Sequence, residues 1–265
     1  MSEHVSYLEA KREIDDRALD RDVLSAFSDR LPNEPAILEV GSGTATMPER
    51  LFEWGVLESG HWIAVDSRPD ALAAGRDRIT ARTDAVAGAD GVHLGDITVE
   101  FVEADAFEYA AGREEQFDAV VGSAFFDIVD AKRAVDAFGA VTDLVYAPIT
   151  YDGTTAFDPD DPEDEIVLDR YRQHMCEYRT GSPEGAKTLE AALSEVLADA
   201  PSPWLIEPPY ADGERTVASH VVETIERAVG ETGYDASGWA ERRREQLFEG
   251  RLAYTATNRD VLGRP

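Results

Sequence analysis

The chain has 265 residues, 43% of them hydrophobic, which suits a single domain with a sizeable core. A net charge of −29, with only Lys11, Lys132 and Lys187 as lysines, offers little to nucleic-acid phosphates, although it does not exclude an RNA substrate. One cysteine, Cys176, rules out an internal disulfide and a multi-cysteine zinc site, and no apolar run is long enough for a membrane span.

The predicted elements run as follows. Tyr7 to Leu31 reads as a helix, with Leu8, Ile14, Leu19, Val23, Leu24 and Phe27 at helical spacing. LPNEP ends it. AILEV (36–40) is a buried strand and TMPERLFEWG (46–55) a helix. HWIAVD (61–66) is a second strand, and Pro69 opens another helix. The Gly- and Asp-rich segment 83–96 is a loop or a short turn. Third and fourth strands occupy 97–105 and 117–124, a helix 131–141, and a fifth strand 143–153. FDPDDPEDE (157–165) is an acidic, hydrated loop, and its spacing lacks the glycine of a calcium-binding EF-hand loop. Helices are expected over 165–179 and 183–200, a short strand over 204–210, helix over about 216–249 and a last strand over 251–262.

Strand–helix alternation predicts an α/β fold: a doubly wound, mostly parallel sheet with helices on both faces. Residues 36–152 form its core, 153–250 are insertions building a helical cap, and 251–262 return as the final strand. Right-handed crossovers put the carboxyl ends of the first four strands along one edge.

At that edge stands E-V-G-S-G, residues 39–43. Strand, tight Gly-x-Gly turn and helix start bring backbone close to a ligand. The third glycine of the dinucleotide fingerprint is replaced by Thr46, and Glu39 would repel a pyrophosphate, so an NAD-dependent oxidoreductase is disfavoured. A ligand carrying a cation is better suited to that acid.

With an acid two residues before the first glycine, the motif resembles that of the class I, Rossmann-like S-adenosylmethionine-dependent methyltransferases. The resemblance covers about residues 36–152, and no single motif in it is specific. It implies that Glu39 and Gly41, Ser42 and Gly43 face the amino-acid end of S-adenosylmethionine. Asp66, with Ser67, would hold the ribose, and Asp105, Ala106 and Phe107 the adenine. Ser123, in the fourth-strand motif FDAVVGSAFF, would line the transfer site. Members that methylate nucleobase amines carry Asn or Asp, then Pro-Pro-aromatic, after the fourth strand. Gly122-Ser123-Ala124-Phe125-Phe126 stands there instead, which argues against such an acceptor. Glu207-Pro208-Pro209-Tyr210 mimics the motif in the wrong place and reads as a rigid turn.

The segments YAPITYDGTTAFDP, YRQHMCEYR and RLAYTATNRDVLGR resemble a group of capped methyltransferase-like proteins, a similarity that names no substrate. They direct attention to Tyr151 and His174 as catalytic candidates, against ordinary packing roles for both. Tyr7, Lys11, Arg12 and Arg17 are candidates to reach the cofactor's carboxylate from the first helix, and Arg242-Arg243-Arg244 reads as a solvated helix face. The expectation is methyl transfer to a small-molecule acceptor, without metal or membrane. The rivals are an RNA or protein methyltransferase and a non-catalytic S-adenosylmethionine-binding protein. The acidic, lysine-poor composition reads as the signature of a salt-loving host, and the single cysteine fits a cytoplasm.

Overall fold

A computed structural model describes residues 2–265. Its centre is a ten-stranded sheet. The strands are β1 (Ala36–Val40), β2 (Ser59–Asp66), β3 (Ala85–Ala87), β4 (Val92–Leu94), β5 (Asp96–Glu103), β6 (Ala119–Val121), β7 (Val145–Asp158), β8 (Glu195–Pro201), β9 (Trp204–Ile206) and β10 (Ala253–Arg264). They lie in the order β3-β4-β5-β2-β1-β6-β7-β10-β8, with β9 on β10. Strands β5, β2, β1, β6 and β7 are parallel, whereas β10 runs antiparallel to β7.

The pleat explains why both faces must be covered. In β1, Ile37 packs into one buried cluster while Leu38 and Val40 pack into the other. In β6, Ala119 and Val121 join the first cluster and Val120 the second. Crossover helices supply the cover: α4 (Thr46–Glu53), α5 (Pro69–Thr80), α6 (Ala106–Ala111) and α7 (Ala131–Phe138). From β1 the chain winds outward to β2 and β5, then returns to place β6 on the other side of β1. That reversal opens a crevice at the carboxyl ends of β1 and β6.

Several expectations are corrected. The first predicted helix is three: α1 (Glu3–Ala10), α2 (Arg12–Ala18) and α3 (Arg21–Ser28). Asp20 breaks the run by accepting from the backbone N–H of Asp22 and Val23, as an N-cap does. The supposed loop 83–96 carries the β3–β4 hairpin, whose Val92 and Leu94 are buried against the sheet. Helix α6 follows β5 because Asp105 caps it. The predicted helix 183–200 stops as α9 (Gly185–Ala192), and the rest is β8. Ladder pairing of β8 with β10 overrides its helical composition. Strand β7 runs on to Asp158 beside β10.

The remaining helices are α8 (Asp164–Tyr178), α10 (Glu214–Glu231) and α11 (Ser237–Phe248). Helix α10 touches α8, α11 and α1, whereas α9 packs on α7, β7 and β10. The acidic loop is not simply hydrated. Asp161 pairs with Arg242, Asp164 with Arg243, and Trp239 Nε1 donates to Asp164 at 2.8 Å. Arg243 is fully buried and acts as a structural clamp, whereas the Arg242 and Arg244 side chains stay 42% and 40% exposed, so the expected solvated face fails only at Arg243. Among the described residues, no helix is long and apolar enough to cross a membrane.

Asp260 on β10 ties the two ends of the chain together. Its buried carboxylate accepts from Ile149 N at 2.8 Å and Asp20 N at 2.9 Å. Ile149 sits at φ +56, a strained conformation for a β-branched residue, so that hydrogen bond holds a backbone that would otherwise relax. Asp260→Ala orphans two donors and is expected to cost about 3 kcal/mol of stability, read from denaturant unfolding. An unchanged midpoint would show that the knot carries no weight.

Candidate functional site

Two chambers meet at the crevice. The first has a volume of about 480 Å³, and the tips of β1, β2, β5 and β6 all reach it. Every cofactor candidate from the sequence lines it: Glu39, Gly41, Ser42, Gly43, Asp66, Ser67, Asp105, Ala106, Phe107 and Ser123.

The glycine turn shapes its floor. Gly41 and Gly43 both lie in the left-handed region, at φ +60 and +55. A Cβ on Gly41 would stand 2.5 Å from the Phe125 ring, so only glycine fits there. Asp66 fastens the turn. Its Oδ2 accepts from Gly43 N at 2.8 Å and its Oδ1 from Arg68 N at 2.8 Å. Ser42 N adds a bond to Val65 O at 3.0 Å.

Glu39 is the most perturbed acid of the chamber. It is 2% exposed, and its Oε2 accepts from Trp62 Nε1 at 2.8 Å. Burial pushes its carboxyl up to about 8, against the pull of the Trp62 hydrogen bond and the Arg50 charge. Asp105 uses Oδ1 for the N–H groups of Phe107 and Glu108, which leaves Oδ2 outside the cap. The Oγ atoms of Ser42 and Ser123 are buried without hydrogen-bond partners. Unmet buried hydroxyls facing a cavity are what a polar ligand would satisfy.

Lys11 is mostly buried, with Nζ 2.7 Å from Asp15 and 5.6 Å from the Trp204 ring, and it lines this chamber beside Tyr7. Arg12 instead pairs with Glu49 and Glu53, and Arg17 with Glu214, so neither reaches the crevice. Glu207-Pro208-Pro209-Tyr210 is likewise outside both chambers, with Tyr210 bonded to Leu252 O at 2.7 Å.

The second chamber holds about 600 Å³ and lies under α8 and α10. Tyr7, Ala124, Ile128 and Trp204 line both chambers and form the wall between them. Tyr151 and His174 stand here, not beside the strand-tip acids. The Tyr151 hydroxyl bonds Thr155 Oγ1 at 3.0 Å. His174 is 1% exposed, stacks on Tyr178, and holds its Nε2 2.7 Å from Glu231 Oε2. That contact keeps the Glu231 carboxyl below its ordinary value.

Sequence reasoning missed Asp127, Trp204 and Asn258, all on the second chamber. Asp127 lies just past the fourth-strand motif, but its isolation shows only once the chain is folded. Asp127 Oδ1, Trp204 Nε1 and Asn258 Nδ2 are all buried without hydrogen-bond partners.

No family model matches the chain, and no curated protein matches it in sequence. Solved structures do. A cyclopropane-fatty-acyl-phospholipid synthase-like protein from Lactobacillus casei is 18% identical, with 94% of this chain and 92% of that one covered, at a TM-score of 0.50. An S-adenosylmethionine-dependent methyltransferase from Thiobacillus denitrificans, in complex with S-adenosyl-L-homocysteine, is 12% identical, with 92% of both chains covered and a TM-score of 0.47. The first likeness establishes the fold: α/β, Rossmann-like, with a mostly parallel sheet between helices, as the strand pattern implied.

The state of Glu39 makes a stability prediction. A carboxyl raised from 4.5 to about 8 on folding means that the native chain binds the extra proton. Its destabilising effect is therefore absent below about pH 4.5 and grows until the pH passes about 8. Glu39→Gln is expected to raise the melting temperature relative to wild type at pH 8.5 and to leave the two nearly equal at pH 4.5. A pH-independent difference would contradict this.

Proposed function

We propose that the chain is a methyltransferase that uses S-adenosylmethionine to methylate a small molecule. One observation carries this reading. Three strand-tip acids and a glycine turn line one chamber, and that chamber shares a wall with a second one of small-molecule size.

The residues of the first chamber suit each part of the cofactor. Glu39 lies where an ammonium would restore its charge, and the unmet Ser42 and Ser123 hydroxyls add polar partners. Asp66, already fixed by Gly43 and Arg68, would accept from the ribose hydroxyls. Asp105 Oδ2 and the backbone beside Ala106 and Phe107 would meet the adenine. When bound, S-adenosylmethionine supplies an electrophilic methyl group, already activated by its sulfonium. The protein's task is then to align the acceptor and exclude water. The dividing wall of Tyr7, Ala124, Ile128 and Trp204 sets where the two ligands meet. Tyr151 and His174 serve on the acceptor side, with Glu231 orienting the His174 ring.

The second chamber supports a small acceptor over RNA or protein, because its volume of about 600 Å³ and its aromatic lining suit a small molecule. It also supports transfer over mere cofactor storage. The acidic, lysine-poor composition supports work in concentrated salt, and the single cysteine supports a reducing cytoplasm.

Calorimetry in high salt tests the reading. S-adenosylmethionine and S-adenosylhomocysteine are expected to bind and NAD not to bind. Asp66→Ala is expected to weaken both sulfur nucleosides at least tenfold, about 1.4 kcal/mol. Near pH 7, binding is expected to release a proton from Glu39, seen as a heat that varies with buffer ionisation enthalpy and vanishes in Glu39→Gln. Binding of NAD alone would overturn the assignment.

A further inference from the structure

The second chamber has a chemical character of its own. Its walls are aromatic, with Tyr7, Tyr151, Tyr171, Tyr254 and Trp204. Burial raises the Tyr151 hydroxyl above its ordinary value and pushes Tyr171 up to about 12, so these rings stay neutral at any physiological pH. Asp127 is the one carboxylate lining the chamber among the described residues.

Asp127 is held there by close backbone packing. Its carbonyl accepts from Ser182 N at 3.0 Å. A Cβ on Gly181 would stand 1.9 Å from that carbonyl, and one on Gly185 would stand 2.5 Å from the Asp127 Cβ. The loop before α9 and the first residue of that helix can seat Asp127 only because they have no side chains at those points. Yet Oδ1, so positioned, has no hydrogen-bond partner and no contact with solvent. An ionised oxygen left unmet in an aromatic cavity is costly, and it calls for a donor that carries charge. Burial lifts the Asp127 carboxyl to about 6, against the pull of its own and the Tyr151 backbone N–H and of the Lys11 charge.

Two more groups in the chamber lack partners. Asn258 is 6% exposed and Trp204 8%, and each buries an N–H donor that nothing in the chain accepts. A ligand with both a cationic nitrogen and an oxygen would meet all three needs.

Building on the methyltransferase reading, we infer that the acceptor is a small amine, whose nitrogen is seated against Asp127 inside the aromatic walls of the second chamber. Neutral aromatic faces attract a desolvated ammonium, and the carboxylate fixes it. Low polarity also favours proton transfer from the ammonium to Asp127, because that step neutralises two charges at once. The freed lone pair forms the new nitrogen–carbon bond while the methyl's carbon–sulfur bond breaks, its electron pair leaving on sulfur. The methylated nitrogen carries the positive charge away. This acceptor differs from a nucleobase amine, whose lone pair is delocalised and which needs no carboxylate to strip a proton. Arg179 and Arg227, exposed at the chamber's rim, together with the His174 and His220 rings and the unmet donors of Trp204 and Asn258, are the features of the lining that would favour an anion instead.

Three probes of one shape test the inference by binding alone: phenethylamine, 2-phenylethanol and 3-phenylpropionate, titrated with and without S-adenosylhomocysteine. Phenethylamine is expected to bind roughly tenfold or more tightly than either other probe. Asp127→Asn, which keeps the shape and removes the charge, is expected to abolish that preference, with its melting curve confirming the fold. Wild-type protein that shows no preference for the amine, or that prefers the carboxylate, overturns the inference. So does an Asp127→Asn protein that retains the preference. If S-adenosylhomocysteine fails to bind while the amine preference persists, the methyltransferase reading falls and the amine site stands.

Discussion

The crevice depends on one clasp, the carboxylate of Asp66 closed on the backbone of Gly43 and Arg68. Without it, a turn with two left-handed glycines would have many conformations open to it. With it, the end of β2 dictates the shape of the loop after β1. The two strands are already in parallel register, from Ala36 opposite His61 to Val40 opposite Val65. The clasp extends that register one step past the sheet, into the part that would touch a ligand. The floor of the first chamber is thus rigid for the same reason that the sheet is.

Around this floor the arginines do unusual work for so acidic a chain. Buried Arg50 meets Asp15 and Asp16, and buried Glu49 meets Arg12, Arg78 and Arg82. These pairs join α1–α2 to α4 and α5 and hold the N-terminal helices over the crevice. Another set joins the acidic loop before α8 to α11 through Arg242 and Arg243. Partly buried pairs of this kind are less exposed to screening than surface ones.

The first chamber was largely legible in the sequence, because topology alone puts strand tips together. Glu39, Asp66, Asp105 and Ser123 each stand at or just past the end of a readable strand, and a parallel sheet leaves them only one edge to share. The second chamber was only half legible. Tyr151 and His174 stood out by type and place, but Asp127 looks ordinary in a chain with this many acids. Its importance comes from burial and from a missing partner, neither of which a linear pattern records. The edge strand β8 was hidden for a different reason. Its residues suit a helix as well as a strand, and only the unpaired side of β10 decides between them.

Helix α1 and the Lys11 that caps it supply Tyr7, Leu8 and Lys11 to the first chamber, yet Val5 is the helix's only fully buried residue. That part of the wall is held mainly by side-chain contacts at its surface, the Tyr7–His220 stack and the Glu9–Arg78 pair, rather than by a buried apolar face. Fraying of that one short helix would open the chamber while the sheet behind it keeps its shape.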